Sequence, residues 1–350
     1  MLGGAPRDAI PGGGARCQID PCGRGGRGRG PPPRALPAGA GVSVGVEPAP
    51  GLRGRVAAAH LRLVAEPWLY LGPALALIGV VILAPLAVGI GYSFREFSLL
   101  RPDDAPWVGL ENYRALWGDA AFWRALENTL VWTGASLALQ FLLGLGLALL
   151  LSEPFPGRRV VQAVVFLPWA VPTFLIGLTF SWLLNPVIGP IPHWLFALGL
   201  LEEPYNILAD PRTALWGPIL ANVWYGVPFF AITLLAALSA IPSELYEAAE
   251  IDGASAWQRF TKITLPFLGP TIVITVMLRA IWIAVFADLI YVMTGGGPAN
   301  ATQTLATYVF TTAFRRLDFG HASAVAVAML VLLMLYAAVL LAVRARILRR

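Results

Sequence analysis

The sequence has little charge for its length, since Asp, Glu, Lys and Arg make up only 13% of its 350 residues. A soluble domain carries about 25% of these residues and needs them to keep its surface in water. Hydrophobic residues account for 57% of the chain, and its mean hydropathy is +0.69. The composition therefore predicts that the lipid bilayer is the solvent of most of the chain.

Lysine is almost absent, because Lys262 is the only one in the chain. No G-x-x-x-x-G-K-[ST] stretch surrounds it. A P-loop needs such a lysine to hold the β- and γ-phosphates of a bound nucleotide. The sequence thus excludes nucleotide hydrolysis by P-loop chemistry.

Cysteine and histidine are also scarce. The only cysteines, Cys17 and Cys22, form a C-x4-C pair without a neighbouring histidine, which is too small for a zinc site. The three histidines, His60, His193 and His321, are scattered along the chain. We therefore expect no metal site, no cofactor and no catalytic centre, which argues against a membrane-embedded enzyme.

Long apolar runs are abundant after residue 66. Residues 1–60 are rich in Gly, Pro, Arg and Ala and are predicted to be a disordered tail, because they cannot bury enough apolar surface to offset the entropy of ordering. A helix needs about 20 apolar residues to cross a bilayer, and residues 67–350 are predicted to be an all-α integral membrane domain. The six predicted spans are 68–94, 129–151, 160–184, 214–238, 267–293 and 321–343.

The net charge of +5 is spread over tails and short loops, a distribution that reports membrane orientation and does not indicate a nucleic-acid partner. With both termini inside, the inner segments carry 11 Lys or Arg residues in 57 positions, and the outer segments carry 7 in 90. Because basic residues concentrate in cytoplasmic loops, we expect both termini and the polar loop 241–266 to face the cytoplasm.

That loop belongs to the longest polar interruption in the second half of the chain, residues 241–270. Pro242 is predicted to end the preceding helix and Ser243 to cap a new one, which ends at Gly253. A second helix is expected over 254–263, before the next span begins. From these residues alone, the segment is either a docking element or a surface hairpin that merely joins two spans.

The spacing of this segment resembles the signature EAA-x3-G-x9-I-x-L-P of ABC importer permeases. The resemblance implies a MetI-like fold of six transmembrane helices in a bacterial or archaeal cell (inner) membrane. It also implies a second permease subunit (hetero- or homodimer), two ATP-binding subunits that carry the ATP hydrolysis, and an extracytoplasmic substrate-binding protein. The ATPase-coupling positions that match the signature are Glu247, Ala248, Ala249, Gly253, Ile263, Leu265 and Pro266.

Two further segments resemble carbohydrate-importer permeases. Residues 286–314 contain F-A-D-L-I-Y-V-M-T-G-G-G-P, and residues 221–230 (ANVWYGVPFF) are similar to the corresponding part of maltose-importer permeases. This resemblance implies a sugar or oligosaccharide as the transported substrate.

Two stripes of residues at helical spacing match sugar-contacting positions of maltose-importer permeases. Ordinary helix packing explains their apolar members equally well, whereas the polar Asn222 and Arg279 indicate a cavity or a partner in mid-membrane. Ile283 and Phe286 stand where the maltose importers have polar amides, so maltose itself is not indicated. The predicted substrate-pathway residues are Asn222, Tyr225, Gly226 and Phe229, followed by Arg279, Trp282, Ile283 and Phe286.

Two alternatives stay open at the level of sequence. Arg279 is compatible with glycerol phosphate or another polar anion as the substrate. A secondary transporter is the other alternative, although the chain shows no convincing internal repeat and Asp288 is its main acidic residue within a predicted span.

Overall fold

The computed structural model describes residues 68, 70–101 and 103–347. The predicted tail 1–60 and the two cysteines lie outside these residues. Within the described residues the chain is helical apart from its loops and two isolated β-bridges, Arg95 with Trp107 and Ser98 with Asp318.

Thirteen helices are numbered here in chain order over the described residues. A π-helical turn lies inside α1, and a second one over Phe260–Thr264 joins α9 to α10 without a break. The bounds are α1 Tyr70–Tyr92, α2 Glu111–Gly118, α3 Ala120–Ser152, α4 Arg158–Phe166, α5 Thr173–Leu183, α6 Pro190–Ala197, α7 Trp216–Leu238, α8 Ser243–Ile251, α9 Ala256–Arg259, α10 Leu265–Ala284, α11 Asp288–Met293, α12 Leu305–Phe314 and α13 Phe319–Ile347.

The described residues contain five helices that are long and apolar enough to cross a bilayer, and a bent pair supplies a sixth crossing when it is counted as one span. The five are α1, α3, α7, α13 and the segment Ala256–Met293, which runs from α9 to α11. The expected all-helical membrane fold is confirmed. The helix limits differ from the predicted spans, mostly because helices continue beyond the apolar run that hydropathy detects.

The clearest extension is at the start of α3, which begins nine residues before the predicted span at position 129. Asp119 caps this helix, since its Oδ1 accepts a hydrogen bond of 2.9 Å from the backbone N–H of Ala121. The added turns contain charged residues, such as Arg124 and Glu127, that an apolar window rejects.

The predicted span 160–184 is sharply bent in the structure. The chain bends by 97° between Arg158–Ala170, which ends in a 3₁₀ turn, and α5. The residues around the bend explain it: Pro168 lies in the 3₁₀ turn, and Pro172 is the N-cap of α5. A proline lacks the N–H that would continue the helical hydrogen bonds and pushes the preceding residue into extended backbone.

The predicted span 267–293 is also interrupted. Helix α10 ends at Ala284, and a short break precedes α11. The Ile283 carbonyl at this end accepts a hydrogen bond of 2.8 Å from the buried indole N–H of Trp132 and one of 3.1 Å from the N–H of Phe286. These two bonds fix the position where the helix stops.

Helices α3 and α7 pack closely at the centre of the fold. Gly144 makes this approach possible, because a β-carbon there would lie 3.2 Å from both the Val227 carbonyl oxygen and the Ala231 nitrogen. Small residues commonly serve this purpose between membrane helices, where dispersion contacts drive association. The buried cluster beside this contact contains Ala148, Leu151, Phe229, Phe230, Leu234 and Leu235.

Candidate functional site

A cavity of about 210 Å³ lies between α7 and the end of α10. Two polar residues line it, Asn222 and Arg279, and both are almost completely buried, with exposures of 1% and 3%. Six of the eight predicted pathway residues line this space, which we call the membrane cavity. Its lining residues are Asn222, Tyr225, Arg279, Trp282, Ile283, Val285 and Phe286.

The guanidinium of Arg279 is held from one side only. Its Nε donates a hydrogen bond of 2.7 Å to Oε1 of Gln140, whereas Nη2 has no hydrogen-bond partner. The rings of Tyr225 and Phe229 lie 5.5 and 5.8 Å from the guanidinium carbon, within the range of cation–π attraction. Within the described chain, no Asp or Glu forms an ion pair with Arg279.

Gln140 connects three helices at this point. Its side chain is fully buried, accepts from Arg279 and donates a hydrogen bond of 2.9 Å to the Asn222 carbonyl. The amide nitrogen of Asn222 has no partner and, like Arg279 Nη2, belongs to a residue of the cavity wall. Gly226 leaves room for this arrangement, since a β-carbon there would overlap both Gln140 and Arg279.

Aromatic rings form much of the remaining wall. Tyr225 and Phe286 stack at 6.0 Å with an interplanar angle of only 4°. The ring of Phe229 lies next to this wall, with its centroid 5.6 Å from that of Trp282 and 6.0 Å from that of Trp169. The structure brings Phe286 into the cavity although it lies beyond the end of α10, so the predicted helical stripe is corrected at this member. The other two predicted residues, Gly226 and Phe229, are not among the lining residues.

Asp288, the acidic residue within the predicted span 267–293, is the first residue of α11 and is exposed. It forms no ion pair with Arg279 within the distance that defines one. In the described residues, His, Cys, Asp and Glu side chains nowhere gather in threes as a metal ion requires.

The second candidate element is the segment 241–266, which we call the polar hairpin. It consists of α8, a turn at Gly253, and α9 with its π-helical continuation. Gly253 has φ +75°, a conformation that glycine adopts without the clash of a β-carbon. Ser255 caps α9 through a reciprocal capping box with Gln258. The predicted cap Ser243 is wrong: Pro242 is the N-cap of α8, and Ser243 is already helical and makes no capping hydrogen bond.

Two side-chain contacts close the polar hairpin. The Tyr246 hydroxyl and the Thr264 hydroxyl form a hydrogen bond of 2.9 Å, and Arg259 Nη1 lies 3.3 Å from Glu250 Oε2. Thr264 is buried at the start of α10, so the first contact joins α8 to the base of the next span. The expected second helix over 254–263 does not end before Leu265, because the π-helical turn carries it directly into α10.

The signature residues divide into two groups in space. Glu247, Ala248 and Gly253 are exposed at the tip, and Ala249 is half-buried. Ile263 is half-buried in the π-helical turn, and the exposed Leu265 and Pro266 form the first turn of α10.

Four residues at these two places escaped prediction. Gln140 binds two cavity-lining residues, Arg279 and Asn222, and Trp169 packs against Phe229. A lone amide in the apolar run of α3 was a usable signal for Gln140, whereas no pattern distinguished Trp169. Ile251 and Trp257 are 87% and 70% exposed on the polar hairpin. Large apolar residues in an otherwise polar segment were the signal there.

Comparison with known proteins agrees with these features. Residues 140–350 match the family described as binding-protein-dependent transport system inner membrane component. The chain is 37% identical over 276 residues to the trehalose/maltose transport system permease protein MalF of Thermococcus litoralis, a match that covers 79% of this chain and 92% of that protein. It is 38% identical over 273 residues to the sulfoquinovosyl glycerol transport system permease protein SmoG of Agrobacterium fabrum, covering 78% and 88%.

A crystal structure of a bacterial ABC transporter involved in the import of the acidic polysaccharide alginate contains a chain of the same fold. The TM-score is 0.71 at 25% sequence identity, and the match covers 82% of this chain and 98% of that one.

Proposed function

The chain belongs to the family of binding-protein-dependent transport system inner membrane components, and from this membership we propose that it forms half of the translocation pathway of an ATP-driven importer for a sugar or oligosaccharide. The second half is a second permease subunit, as a homo- or heterodimer. Two ATP-binding subunits supply the energy, and an extracytoplasmic binding protein delivers the substrate. The chain itself is the non-catalytic, membrane-spanning subunit.

The observation that carries this proposal is the continuity between the polar hairpin and the cavity wall. Helix α9 passes without interruption into α10, which holds Arg279 and Trp282 at its far end. Residues 265–279 rise about 1.5 Å each, so a continuous helix of about 20 Å, with Pro270 inside it, connects the two places. A tilt of the polar hairpin therefore moves the wall of the membrane cavity.

The tip of the polar hairpin suits a protein partner. Ile251 and Trp257 expose large apolar surfaces beside the small Ala248, so that a second surface approaches closely and gains from their burial. We assign this surface to the ATP-binding subunits, with Glu247, Ala248, Ala249 and Gly253 at the contact. Ile263, Leu265 and Pro266 anchor the element to α10.

The proposed cycle follows from these two sites. ATP binding closes the ATP-binding subunits, which draws together the polar hairpins of the two permease subunits. The attached α10 helices tilt, and the membrane cavity opens toward the outside to receive substrate from the binding protein. ATP hydrolysis reverses the movement and releases the substrate to the cytoplasm, where both chain termini and the polar hairpin lie.

The membrane cavity supports a sugar as the substrate. Tyr225, Phe286 and Trp282 offer the flat apolar faces that suit the C–H surfaces of a pyranose ring, and Asn222 and Arg279 offer hydrogen-bond donors. The relatives named for trehalose/maltose and for sulfoquinovosyl glycerol point to the same class of ligand.

The decisive experiment is reconstitution of the chain with its partner subunits and measurement of ATP-dependent sugar uptake into proteoliposomes. Glu247→Lys places a positive charge at the tip of the polar hairpin and is expected to reduce uptake at least about tenfold, the effect of losing 1.4 kcal/mol at an interface. Glu127→Lys, an equivalent exchange at an exposed position on α3, serves as the control. Unchanged uptake in Glu247→Lys, or uptake that an ion gradient drives without ATP, contradicts the proposal.

A further inference from the structure

We propose that the membrane cavity is a subsite for an anionic substituent of the transported sugar, with Arg279 as the recognising group and Gln140 as its positioning residue. This inference rests on the proposed function, and it adds the chemical class of the substrate. A carboxylate, a sulfonate and a phosphate share the chemistry that the cavity recognises.

The first observation is an uncompensated positive charge. Arg279 is 97% buried, since its exposure is 3%, and it lies in an apolar span. Ionisable side chains in that position ordinarily pair with a carboxylate or face a cavity, because an unpaired charge in a low-dielectric surrounding is costly. In the described part of the chain Arg279 has no carboxylate partner, and it does line a cavity.

The second observation is that two buried donor nitrogens of cavity-lining residues have no hydrogen-bond partner. Gln140 occupies Nε of the guanidinium and leaves Nη2 without a partner. The Asn222 amide nitrogen is equally unpartnered, and both residues line the same cavity. Two donor nitrogens without a partner, one of them charged, match a ligand group with several acceptor oxygens and negative charge.

The third observation is that Gln140 contributes no charge. A glutamine accepts the Nε hydrogen bond as a glutamate does, but it leaves the positive charge of Arg279 unneutralised. The side-chain amide N–H of Gln140 donates a hydrogen bond of 2.9 Å to the Asn222 carbonyl, and this bond keeps the amide oxygen directed toward Arg279. Gln140 therefore acts through Arg279: it orients the guanidinium and preserves the positive charge of this cavity-lining residue.

The rest of the lining restricts where the anion sits. Trp282, Ile283, Val285 and Phe286 carry no charge, and the stacked rings of Tyr225 and Phe286 form an apolar wall opposite a pyranose face. A sugar lies on these rings with its anionic substituent toward Arg279. A volume of about 210 Å³ suits one sugar unit of a longer chain as well as a monosaccharide.

The test measures binding to the complete transporter in lipid nanodiscs without the binding protein, through quenching of tryptophan fluorescence and through calorimetry. The probes are D-glucuronate, D-glucose 6-sulfonate and D-glucose 6-phosphate against neutral D-glucose. A charge-assisted hydrogen bond in a buried site predicts that at least one anionic probe binds on the order of ten- to a hundredfold more tightly than glucose. The three probes distinguish the carboxylate, the sulfonate and the phosphate from one another.

Three variants assign the preference to its residues. Arg279→Gln is expected to bring the affinity ratio of anionic to neutral probe to about one. Gln140→Glu places a carboxylate against the guanidinium and keeps the shape of the side chain, although it loses the hydrogen bond to the Asn222 carbonyl. It is expected to remove the preference in the same way. Arg114→Gln, at an exposed ion pair on α2, is expected to leave the ratio unchanged.

Each outcome decides the inference. Loss of the preference in Arg279→Gln and in Gln140→Glu supports it, and Gln140→Glu alone decides the question if Arg279→Gln fails to assemble. Equal affinity for glucose and all anionic probes, no binding of any probe, or a preference that survives in both variants overturns it. ATP-dependent uptake of a neutral sugar without an anion preference overturns this inference and leaves the proposed function intact, whereas a transporter without ATP-dependent uptake overturns the proposed function.

Discussion

The contact between Gln140 and Arg279 beside the membrane cavity depends on Gly226, because this glycine has no side chain. The space that a β-carbon would fill is occupied by the amide of Gln140 and by the guanidinium of Arg279. A glycine inside a helix costs about 1 kcal/mol relative to alanine, and here it leaves room for the polar contacts between α3, α7 and α10.

We expect Gly226→Ala to destabilise the protein by about 1–3 kcal/mol, because overpacking forces Gln140 and Arg279 to move. Sugar binding should weaken in parallel. The matched control is Gly134→Ala on the exposed face of α3, where a β-carbon meets nothing within 4 Å and alanine gains up to about 1 kcal/mol from helix propensity. Thermal unfolding in detergent measures both variants, and equal melting temperatures for the two would contradict this account of Gly226.

A second residue-scale feature lies at the N-terminal end of α3. Asp119 accepts a hydrogen bond from the Tyr308 hydroxyl and caps α3, and His321 Nε2 lies 3.8 Å from its Oδ2. Burial acts to raise the pKa of the Asp119 carboxyl, but the hydrogen bonds from Tyr308 and Ala121 lower it. The positive charges of His321 and Arg316 lower this pKa further, below its ordinary value of 3.8.

A lowered pKa makes the ionised carboxylate a stabilising group at neutral pH. We expect Asp119→Asn to lower the free energy of unfolding by about 1 kcal/mol near pH 7, since a charge-assisted hydrogen bond becomes a neutral one. The difference from the wild type should stay constant down to about pH 4 and shrink as the pH falls through the lowered pKa, where the wild type also becomes neutral. Unfolding by denaturant at several pH values tests this, and a difference that grows toward acid would contradict it.

At the scale of elements, the sequence predicted helices well and their interruptions poorly. Apolar runs located the spans because hydropathy is a local property of the chain. The bend before α5 falls at Pro168 and Pro172, which mark it in the sequence, whereas the end of α10 was missed. The end of α10 depends on the Trp132 indole, which donates to the Ile283 carbonyl across 151 positions of sequence, and no local pattern reports such a contact.

In the polar hairpin, too, local sequence patterns predicted some features and missed others. Its signature residues were identified by spacing, and the turn at Gly253 was expected from the glycine itself. The cap of α9 by Ser255 and the continuous π-helical join to α10 were not expected. In the membrane cavity, six predicted residues were brought together, but the position of Gln140 between them follows only from the packing of α3 on α7.

The turn of the polar hairpin offers a test of backbone conformation without a packing effect. Gly253 has φ +75°, and a β-carbon there would meet nothing within 4 Å. Gly253→Ala therefore strains the backbone by about 1–2 kcal/mol and adds no clash. We expect the angle between α8 and α9 to relax, so that ATP hydrolysis continues while sugar uptake per ATP decreases severalfold.

Two variants complete this test. Gly253→Asn should retain more coupling than Gly253→Ala, because asparagine tolerates the left-handed conformation better than alanine does. Gly269→Ala, a helical glycine of α10 with no atom within 4 Å of an added β-carbon, should transport normally. Coupling that is equal in Gly253→Ala and Gly269→Ala would show that the turn conformation has no part in transmission.

At the scale of the whole molecule, the central span α7 is less apolar than the peripheral span α1, although it is far more buried. The most apolar window of α7 has a mean hydropathy of 1.7 and is 61% buried, whereas that of α1 reaches 2.5 and is 0% buried. Lipid tails are as apolar as a protein core, so a membrane helix needs no polar outer face. The central helices instead carry the polar residues of the cavity. This inversion is why sequence alone could not tell which spans form the core.

The orientation of the whole molecule gives a final prediction, which uses the scarcity of lysine. Lys262 is the only lysine and is exposed on the polar hairpin. If the polar hairpin faces the cytoplasm, a membrane-impermeant amine reagent should label Lys262 in inside-out vesicles and leave it unlabelled in intact spheroplasts, as peptide mass spectrometry can show. The matched control is Lys262→Arg combined with Glu203→Lys, at an exposed position between α6 and α7 that should react only from outside. Labelling of Lys262 in spheroplasts would reverse the topology and move the proposed ATPase contact to the wrong face of the membrane.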